Sequence, residues 1–467
     1  MNEKPIASEL EITPEHLAEA DPSLRHVKGA PDLLPSIMAL VDNYVSHRVG
    51  DKKFTPGETY IPCTGKMVGV QEAQNMVEAA VALDLTSTGK WNPIFEQKLG
   101  EYLTADYVTT CSSGSSANLL AVAALRSPSL GDRALIPGDE VICSAVGFPT
   151  TVNPLLQCGL VPVFVDAKLP FYTIDPEKVV AAIGPRTRAL MLDHTLGNPC
   201  DMRILMGVAQ EYYLWVINDT CDAMSSKYDG VPVGMLGDIA TLSFFPAHTI
   251  TTGEGGAVYT DNRALHKLVA SISNWGKRCC CPPNHDNVCG KRFGWQLGGM
   301  PFGYDDKYLF SELGYNLKMT DMQAACGVAQ MDRLHGFAQI RDLNYKYLRQ
   351  GLADLEHVLM LPEALPNSDT RWFCLPLTLL EGARLPLMKH LEAHRIGTRL
   401  IFAGNITCQP YMQGRNYRVS GNLDTADRIM RQSFSIGLHP GVTTEMLDYM
   451  LDVLHNYCYP PNSDRIF

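Results

Sequence analysis

Short apolar runs alternate with helix-like segments through the middle of the chain. Between about residues 70 and 265, runs of strand length such as "DEVICSA", "VPVFVDA", "RALMLDH", "LWVINDT" and "DIATLSFF" are separated by stretches such as "FEQKLGEYL" and "SANLLAVAAL". Repeated alternation of strands and helices predicts an α/β fold with a mostly parallel sheet, covered by helices on both faces.

The pattern changes towards both ends of the chain. Residues 1–60 are a largely polar lead-in with helical patches, and residues 61–330 hold the strand–helix alternation and a cysteine-rich segment. Residues 331–467 mix strands such as "TRWFCLPLTL" with a late helix, "TEMLDYMLDVLHNYC". We therefore predict an N-terminal extension, a large α/β domain and a smaller C-terminal α+β domain.

Composition narrows the class of protein. The 467 residues are 46% hydrophobic and carry a formal net charge of -11, which argues against nucleic acid as the main partner. Apolar runs stay well short of the roughly 18 residues of a membrane span. Since the first residues are polar and acidic, we expect no signal peptide, no membrane partner and a cytoplasmic location.

Cysteine is unusually frequent for such a protein. A reducing compartment makes disulfides unlikely for the 14 cysteines, and isolated ones are expected to be small buried residues. The run "KRCCCPPNHDNVCGKRF" differs, because four cysteines lie within eleven residues beside lysines and arginines. This segment predicts thiolates with a chemical role.

Three features are typical of a site for a flat, phosphorylated cofactor. In "CSSGSSANLLAVAAL", Gly114, Ser115 and Ser116 begin a helix, where backbone N–H groups suit a phosphate, although such residues also cap ordinary helices. Asp219 ends an apolar strand and can pair with a ring nitrogen or cap a helix. Phe148 can stack on a ring or pack in the core.

Together with "SFFPAHTITTGEGGAV", these motifs resemble the DegT/DnrJ/EryC1/StrS family of sugar aminotransferases and dehydrases over roughly residues 70 to 450. The resemblance implies the aspartate aminotransferase fold, which is fold type I of the pyridoxal phosphate enzymes. It also implies cofactor contacts at Gly114, Ser115, Ser116, Phe148, Asp219, Asp222 and Ser243. Asn316, in the turn "GYN", would reach the cofactor of a neighbouring subunit, which implies a homodimer with shared sites.

His248 stands where most of this family has a lysine. Histidine cannot form the Schiff base that a lysine forms with pyridoxal phosphate, but it can still carry a proton. The resemblance therefore narrows to the 3-dehydrases that depend on pyridoxamine phosphate (PMP), with His248 as base and Asp219 opposite the ring nitrogen. An inactive relative is the alternative.

The cysteines resemble those of the iron–sulfur branch, the CDP-4-keto-6-deoxyglucose 3-dehydrases. The pattern C-X57-C-X-C-X7-C of that branch matches four positions and implies that a [2Fe–2S] cluster is bound by Cys221, Cys279, Cys281 and Cys289. Zinc is the alternative metal, and whether Cys280 takes part stays open. Two residues of the small domain, Arg399 and Asn405, are the candidates for holding a sugar nucleotide.

The implied activity is removal of the C3 hydroxyl of a nucleotide-diphospho-4-keto-6-deoxyhexose, in 3-deoxysugar biosynthesis. Electrons would come from a separate NAD(P)H-dependent flavin/iron–sulfur reductase, because the chain shows no flavin or dinucleotide motif of its own. Two alternatives stay open: a sugar-nucleotide aminotransferase, and a non-catalytic cluster-binding protein.

Overall fold

The computed structural model describes residues 32–50, 53–83, 85–279, 281 and 285–459. Within them the α-helices are, in chain order, α1 (Leu34–Val49), α2 (Val70–Val81), α3 (Trp91–Leu103), α4 (Gly114–Ala124), α5 (Pro149–Gln157), α6 (Pro176–Ala182), α7 (Met202–Glu211), α8 (Arg263–Ser273), α9 (Asp321–Gly351), α10 (Leu385–Ala393), α11 (Asp424–Gln432) and α12 (Thr444–Cys458). Each of these helices is too short or too polar to cross a membrane.

The strands of the same residues follow the predicted alternation. They are β1 (Tyr107–Cys111), β2 (Glu140–Ser144), β3 (Val161–Val165), β4 (Ala167–Lys168), β5 (Thr173–Ile174), β6 (Thr187–Asp193), β7 (Trp215–Asp219), β8 (Lys227–Tyr228), β9 (Val231–Pro232), β10 (Ile239–Ser243), β11 (Gly256–Thr260), β12 (Leu359–Met360), β13 (Ser368–Asp369), β14 (Cys374–Leu379), β15 (Arg418–Val419) and β16 (Ser433–Gly437).

The main sheet has the order β1-β11-β10-β7-β6-β2-β3-β15. Only β11 opposes its neighbours in this sheet; the other adjacent strands pair in parallel. Successive residues of one strand enter different cores: Val141 of β2 packs into one hydrophobic cluster and Ile142 into another. Both faces are thus buried, and the predicted mostly parallel α/β sheet is confirmed.

A second, smaller sheet lies in the C-terminal part, with the order β12-β14-β16 and antiparallel pairing. Helices α10, α11 and α12 belong to this part of the chain, which matches the predicted α+β character. Residue 330 lies within α9, so the division between 330 and 331 stays a prediction. Residues 1–31 of the predicted N-terminal extension lie outside the described residues.

Helix α9 connects the two parts and is fixed at its N-terminus by a buried carboxylate. Thr320 and Gln323 form a capping box, and α9 packs along α2 and α3. The Asp321 carboxylate accepts hydrogen bonds from the backbone N–H groups of Trp91 (3.0 Å) and Asn92 (2.9 Å), at the start of α3. One fully buried side chain therefore ties together the N-termini of two helices.

Replacement of this carboxylate should destabilise the fold. Asp321→Ala leaves the buried N–H groups of α3 without a partner, so we expect a loss of about 2–4 kcal/mol of unfolding free energy. Asp332→Ala is the matched control, since this exposed carboxylate on the same helix only pairs with Lys98 at the surface and should change stability by less than about 1 kcal/mol. Thermal unfolding of the three proteins measures the difference, and equal midpoints for Asp321→Ala and the wild type would contradict this account.

Candidate active site

A cavity of about 890 Å³ opens at the carboxyl ends of the main parallel strands, where side chains of the C-terminal part meet the sheet. Strands β6, β7 and β10 end there at Asp193, Asp219 and Ser243, as expected for an open α/β sheet. The cavity collects most of the residues selected from the sequence; its lining includes Gly114, Ser115, Phe148, Asp219, Cys221, Asp222, Ser243, His248 and Arg399.

One end of the cavity is an anion cradle at the N-terminus of α4. Ser113 is the N-cap, and its hydroxyl accepts a hydrogen bond from the backbone N–H of Ser116 (3.1 Å). A Cβ on Gly114 would lie only 2.5 Å from Cβ of Ser243, so glycine is what allows β10 to approach the start of the helix. The first-turn N–H groups and the hydroxyls of Ser115 and Ser243 therefore surround one small space suited to a phosphate.

In the structure, residues 113–115 line the anion cradle, one position earlier than the predicted residues 114–116. The Ser116 hydroxyl lies 2.9 Å from the hydroxyls of both Ser112 and Ser113, beneath the cavity lining. Ser113 lines the cavity in its place. The sequence does contain this signal, because a serine just before the first helical residue is a common N-cap.

Asp219 is held as an acceptor at the end of β7. Its Oδ2 accepts hydrogen bonds from Nδ2 of Asn118 and Oγ1 of Thr151, both at 2.8 Å, and its Oδ1 accepts from the backbone N–H of Cys221 at 3.1 Å. Asn118 is oriented in turn by Thr241, which donates to its Oδ1 (2.6 Å). These donors fix the orientation of the carboxyl group, which is placed to pair with a ring nitrogen.

His248 follows β10 and lies inside the cavity. Its Nδ1 is 3.2 Å from Oδ1 of Asp222, at an angle outside that of a hydrogen bond, so this buried nitrogen is unpartnered among the described residues. Asp222 is fixed by the backbone N–H of Leu196, which donates to its Oδ2 (3.2 Å), and Phe373 packs on the imidazole with the ring centroids 5.6 Å apart. The imidazole is therefore held in the cavity between Asp222 and Phe373.

Phe148 and Arg399 also reach the cavity. Phe148 is 53% exposed and meets Phe402 edge to face at 5.9 Å, so one face of its ring is available. Arg399 has an exposed side chain and donates to the carbonyl of Thr398 (2.7 Å).

Two other predicted residues lie elsewhere. The amide of Asn405 donates to Asp427 (2.8 Å) and accepts from Thr407, so this buried side chain is already engaged in local structure. Asn316 is exposed in the loop before α9, where it accepts a hydrogen bond from Lys318 (2.7 Å). Neither residue contributes to the lining of the cavity.

The cysteines of the predicted metal site are only partly gathered. Cys221 lines the cavity beside Asp219, and burial raises the pKa of its thiol. The backbone N–H of Val288 and the thiol of Cys279 lower the pKa of Cys281, so Cys281 lies close to both of these residues. Cys280 and residues 282–284 lie outside the described residues, and among those that are described no three His, Cys, Asp or Glu side chains converge on a common point for a metal. The described thiols therefore do not by themselves form a four-cysteine site.

Two features of the site were missed from the sequence. Asp193 was part of the quoted strand "RALMLDH" but was given no role, although it is buried in the lining next to Asp219. Cys63 and Cys374 are buried, as expected for isolated cysteines, yet both also line the cavity. The position of Asp193 at the end of a predicted strand could have indicated a site residue. Nothing in the sequence around Cys63 indicates that it lies beside this site.

Known proteins with similar sequences and structures point to one family. Residues 68–455 match the model of the DegT/DnrJ/EryC1/StrS aminotransferase family. The lipopolysaccharide biosynthesis protein RfbH of Salmonella typhimurium is 51% identical over 431 residues, covering 92% of this chain and 98% of that protein. The dTDP-4-dehydro-2,6-dideoxy-D-glucose 3-dehydratase of Saccharopolyspora spinosa is 43% identical, covering 91% and 92%.

A solved structure agrees with these relatives. The GDP-4-keto-6-deoxy-D-mannose-3-dehydratase of E. coli with bound hydrated PLP superposes with a TM-score of 0.76 at 26% identity, covering 85% of this chain and 99% of that one. The predicted fold type I architecture is confirmed by this likeness and by the family match. The chain belongs to the DegT/DnrJ/EryC1/StrS aminotransferase family.

Proposed function

We propose that this protein removes the C3 hydroxyl of a nucleotide-diphospho-4-keto-6-deoxyhexose, with PMP as cofactor. The observation that carries the proposal is the position of His248, which lies in the cavity with Asp219 and has its Nδ1 3.2 Å from Oδ1 of Asp222. The S. spinosa and E. coli relatives are both named as 3-dehydratases of such sugars, which supports the same class of substrate.

The residues of the cavity fit a phosphorylated pyridine cofactor. The cradle at Gly114 and Ser243 would take the phosphate, Phe148 would cover the ring, and the Asp219 carboxylate would pair with the ring nitrogen. When bound, PMP supplies an amine for the substrate ketone and a ring that accepts an electron pair. A covalent link is not needed in this arrangement, because three separate groups of the chain hold the two ends and one face of the cofactor.

His248 is the proposed base. The Asp222 carboxyl group near Nδ1 would favour a proton on that nitrogen, which would leave Nε2 to accept the proton that the reaction releases. The proton on Nε2 can then pass to the departing C3 hydroxyl, so that it leaves as water. The Asp219 carboxyl group, held by Asn118 and Thr151, would pair with the ring nitrogen.

Arg399 is the proposed contact for the diphosphate of the substrate. Its exposed guanidinium stands at the rim of the cavity and presents several donors to solvent. Asn405 remains a weaker candidate, because its own amide is used by Asp427 and Thr407. Opening of those local bonds would be required before Asn405 could bind sugar.

We further propose a [2Fe–2S] cluster on Cys221, Cys279, Cys281 and Cys289, and a separate NAD(P)H-dependent flavin/iron–sulfur reductase as partner. The sequence spacing supports this, with 57, one and seven residues between successive cysteines. Conversion of a 4-ketosugar into its 3-deoxy form consumes two electrons and two protons and releases one water. Because the described thiols are not all gathered in one place, the loop from 279 to 289 would have to close on Cys221.

A homodimer with shared sites is also proposed. Asn316 is exposed and lies outside the cavity of its own chain, which leaves it available to a second copy. Aminotransfer is the alternative activity, favoured by the description of the family as a whole. His248 speaks against it, because aminotransfer uses a lysine to hold and release the cofactor.

Replacement of His248 by lysine should create the missing covalent link. Incubated with pyridoxal phosphate and then borohydride, the wild type should carry no pyridoxyl group at position 248, whereas His248→Lys should carry one. His248→Asn is the control, since it removes the base without adding an amine. Peptide mass spectrometry reads the outcome, and a pyridoxyl group on wild-type residues of the cavity would refute non-covalent binding.

Asp219→Asn should bind PMP but dehydrate slowly. The amide keeps the shape of the side chain but cannot keep the ring nitrogen protonated, so we expect a fall in rate of about 100-fold or more. Asp238→Asn is a suitable control, because this carboxyl group likewise accepts a hydrogen bond from a backbone N–H, that of Val216, but lies away from the cavity. Single-turnover rates compare the variants, and near wild-type rates for Asp219→Asn would contradict the role given to this carboxylate.

Protein purified without oxygen should contain about two irons and two sulfides per chain. Cys289→Ser should lose most of this iron, whereas Cys408→Ser, which changes another exposed cysteine outside the motif, should keep it. Iron and zinc analysis distinguishes the possibilities. Stoichiometric zinc in place of iron, or full iron content in Cys289→Ser, would show that the assigned cluster is wrong.

A further inference from the structure

Four carboxyl side chains line the cavity; Glu254 is exposed, and the proposed function uses only two of the other three. Asp219 pairs with the ring nitrogen and Asp222 lies beside His248. The third, Asp193, ends strand β6 and stands directly opposite Asp219 in the register of β6 and β7. It is buried, with 8% of its surface exposed, yet it faces the cavity.

The surroundings of Asp193 favour its protonated form. Burial, reinforced by the carboxylates of Asp219 and Asp222, raises the pKa of Asp193 to about 7, and the hydroxyl of Thr195, which donates to Oδ2 (2.9 Å), lowers it only in part. The other titratable groups facing it are the buried thiols of Cys143 on β2 and Cys200, whose own pKa values lie well above their usual range. A protonated carboxyl group can donate a hydrogen bond, whereas a carboxylate can only accept one.

The neighbouring histidine does not compete for this role. His194 also borders the cavity, but its ring is buried: Nδ1 accepts from the backbone N–H of Cys200 (3.1 Å) and Nε2 pairs with Oδ1 of Asn218 (3.1 Å). Burial lowers the pKa of His194 to about 4, so this ring is neutral and its hydrogen bonds are satisfied. Asp193 is therefore the residue of β6 that is presented to a ligand.

The order of strands shows which edge of a bound ring would meet Asp193. The anion cradle lies at the ends of β1 and β10, on one side of β7, and Asp193 lies on β6, on the other side. In a phosphopyridoxyl ring, the phosphate arm and the 3-oxygen lie on opposite sides of the axis from the ring nitrogen to C4. With the nitrogen at Asp219 and the phosphate in the cradle, the 3-oxygen points towards β6.

We propose that Asp193 is a further cofactor-binding residue, whose carboxyl donates a hydrogen bond to the 3-oxygen of the ring and so fixes the edge opposite the phosphate. This assignment rests on the proposed PMP site. Gly147 supports it, because a Cβ at this position would lie 2.7 Å from Oδ2 of Asp193. The backbone next to Phe148 therefore packs closely against the Asp193 carboxyl group. This places the stacking contact of Phe148 next to the proposed hydrogen bond of Asp193.

The test measures PMP binding and the near-ultraviolet absorption of the bound cofactor, which responds to hydrogen bonding at its 3-oxygen. Asp193→Ala should weaken PMP binding about tenfold and shift the absorption band, since a hydrogen bond to a charged oxygen is lost. Asp193→Asn keeps a donor and should stay within about threefold of the wild type. Glu96→Gln is the matched control, because burial raises the pKa of this carboxyl as well, but it accepts from Thr110 outside the cavity and should leave the band unchanged.

A second variant, at Gly147, changes the position of the Asp193 carboxyl group without replacing Asp193 itself. Gly147→Ala should displace Asp193 and shift the band in the same direction as Asp193→Ala, and the double variant should add little to Asp193→Ala. Wild-type affinity and an unchanged band in both single variants would overturn the assignment. Failure of the wild type itself to bind PMP would instead refute the cofactor proposed above, and with it this contact.

Discussion

The hydrogen bonds that hold Asp219 organise the whole site. Its Oδ2 accepts hydrogen bonds from Asn118 of α4 and Thr151 of α5. Helix α4 begins with the anion cradle, and α5 begins directly after Phe148. A single buried carboxylate thus fixes the spacing between the place for a phosphate, the place for a ring face and the place for a ring nitrogen. Each donor contributes a charge-assisted bond of about 1.5–3 kcal/mol, and loss of either would leave a charge poorly solvated in the core.

Non-covalent retention of a cofactor requires more contacts than a covalent link does. A lysine would hold the reactive carbon through a bond, whereas His248 offers only proton transfer. The cavity compensates with groups on every side: the cradle at one end, Phe148 on a face, Asp219 at the nitrogen and, as inferred, Asp193 at the remaining edge. The cost is a concentration of carboxyl groups, and burial beside Asp219 and Asp222 raises the pKa of Asp193 to about 7, which favours its protonated form more than in an exposed aspartate.

Local motifs allowed much of the site to be predicted from the sequence. Asp219 and Ser243 follow apolar strands, and Gly114 opens a helix, so their meeting at one edge follows from parallel pairing. The partners of those residues could not be predicted this way. In the sequence, Asn118 and Thr151 look like ordinary helix residues, and only tertiary packing brings them to Asp219. Ser116 looks like a phosphate ligand, but in the structure its hydroxyl lies against those of Ser112 and Ser113. Nor does spacing reveal that Asn405 uses its amide locally.

The central claim is that the chain dehydrates a ketosugar at C3 with a cofactor it does not bind covalently. The most direct measurement is oxygen exchange: wild-type protein loaded with PMP and given a nucleotide-diphospho-4-keto-6-deoxyhexose in labelled water, without any reductant. Reversible loss of the C3 hydroxyl predicts label at C3 of the recovered substrate. An unlabelled C3 together with formation of a 4-aminosugar would contradict the account and assign the chain to aminotransfer.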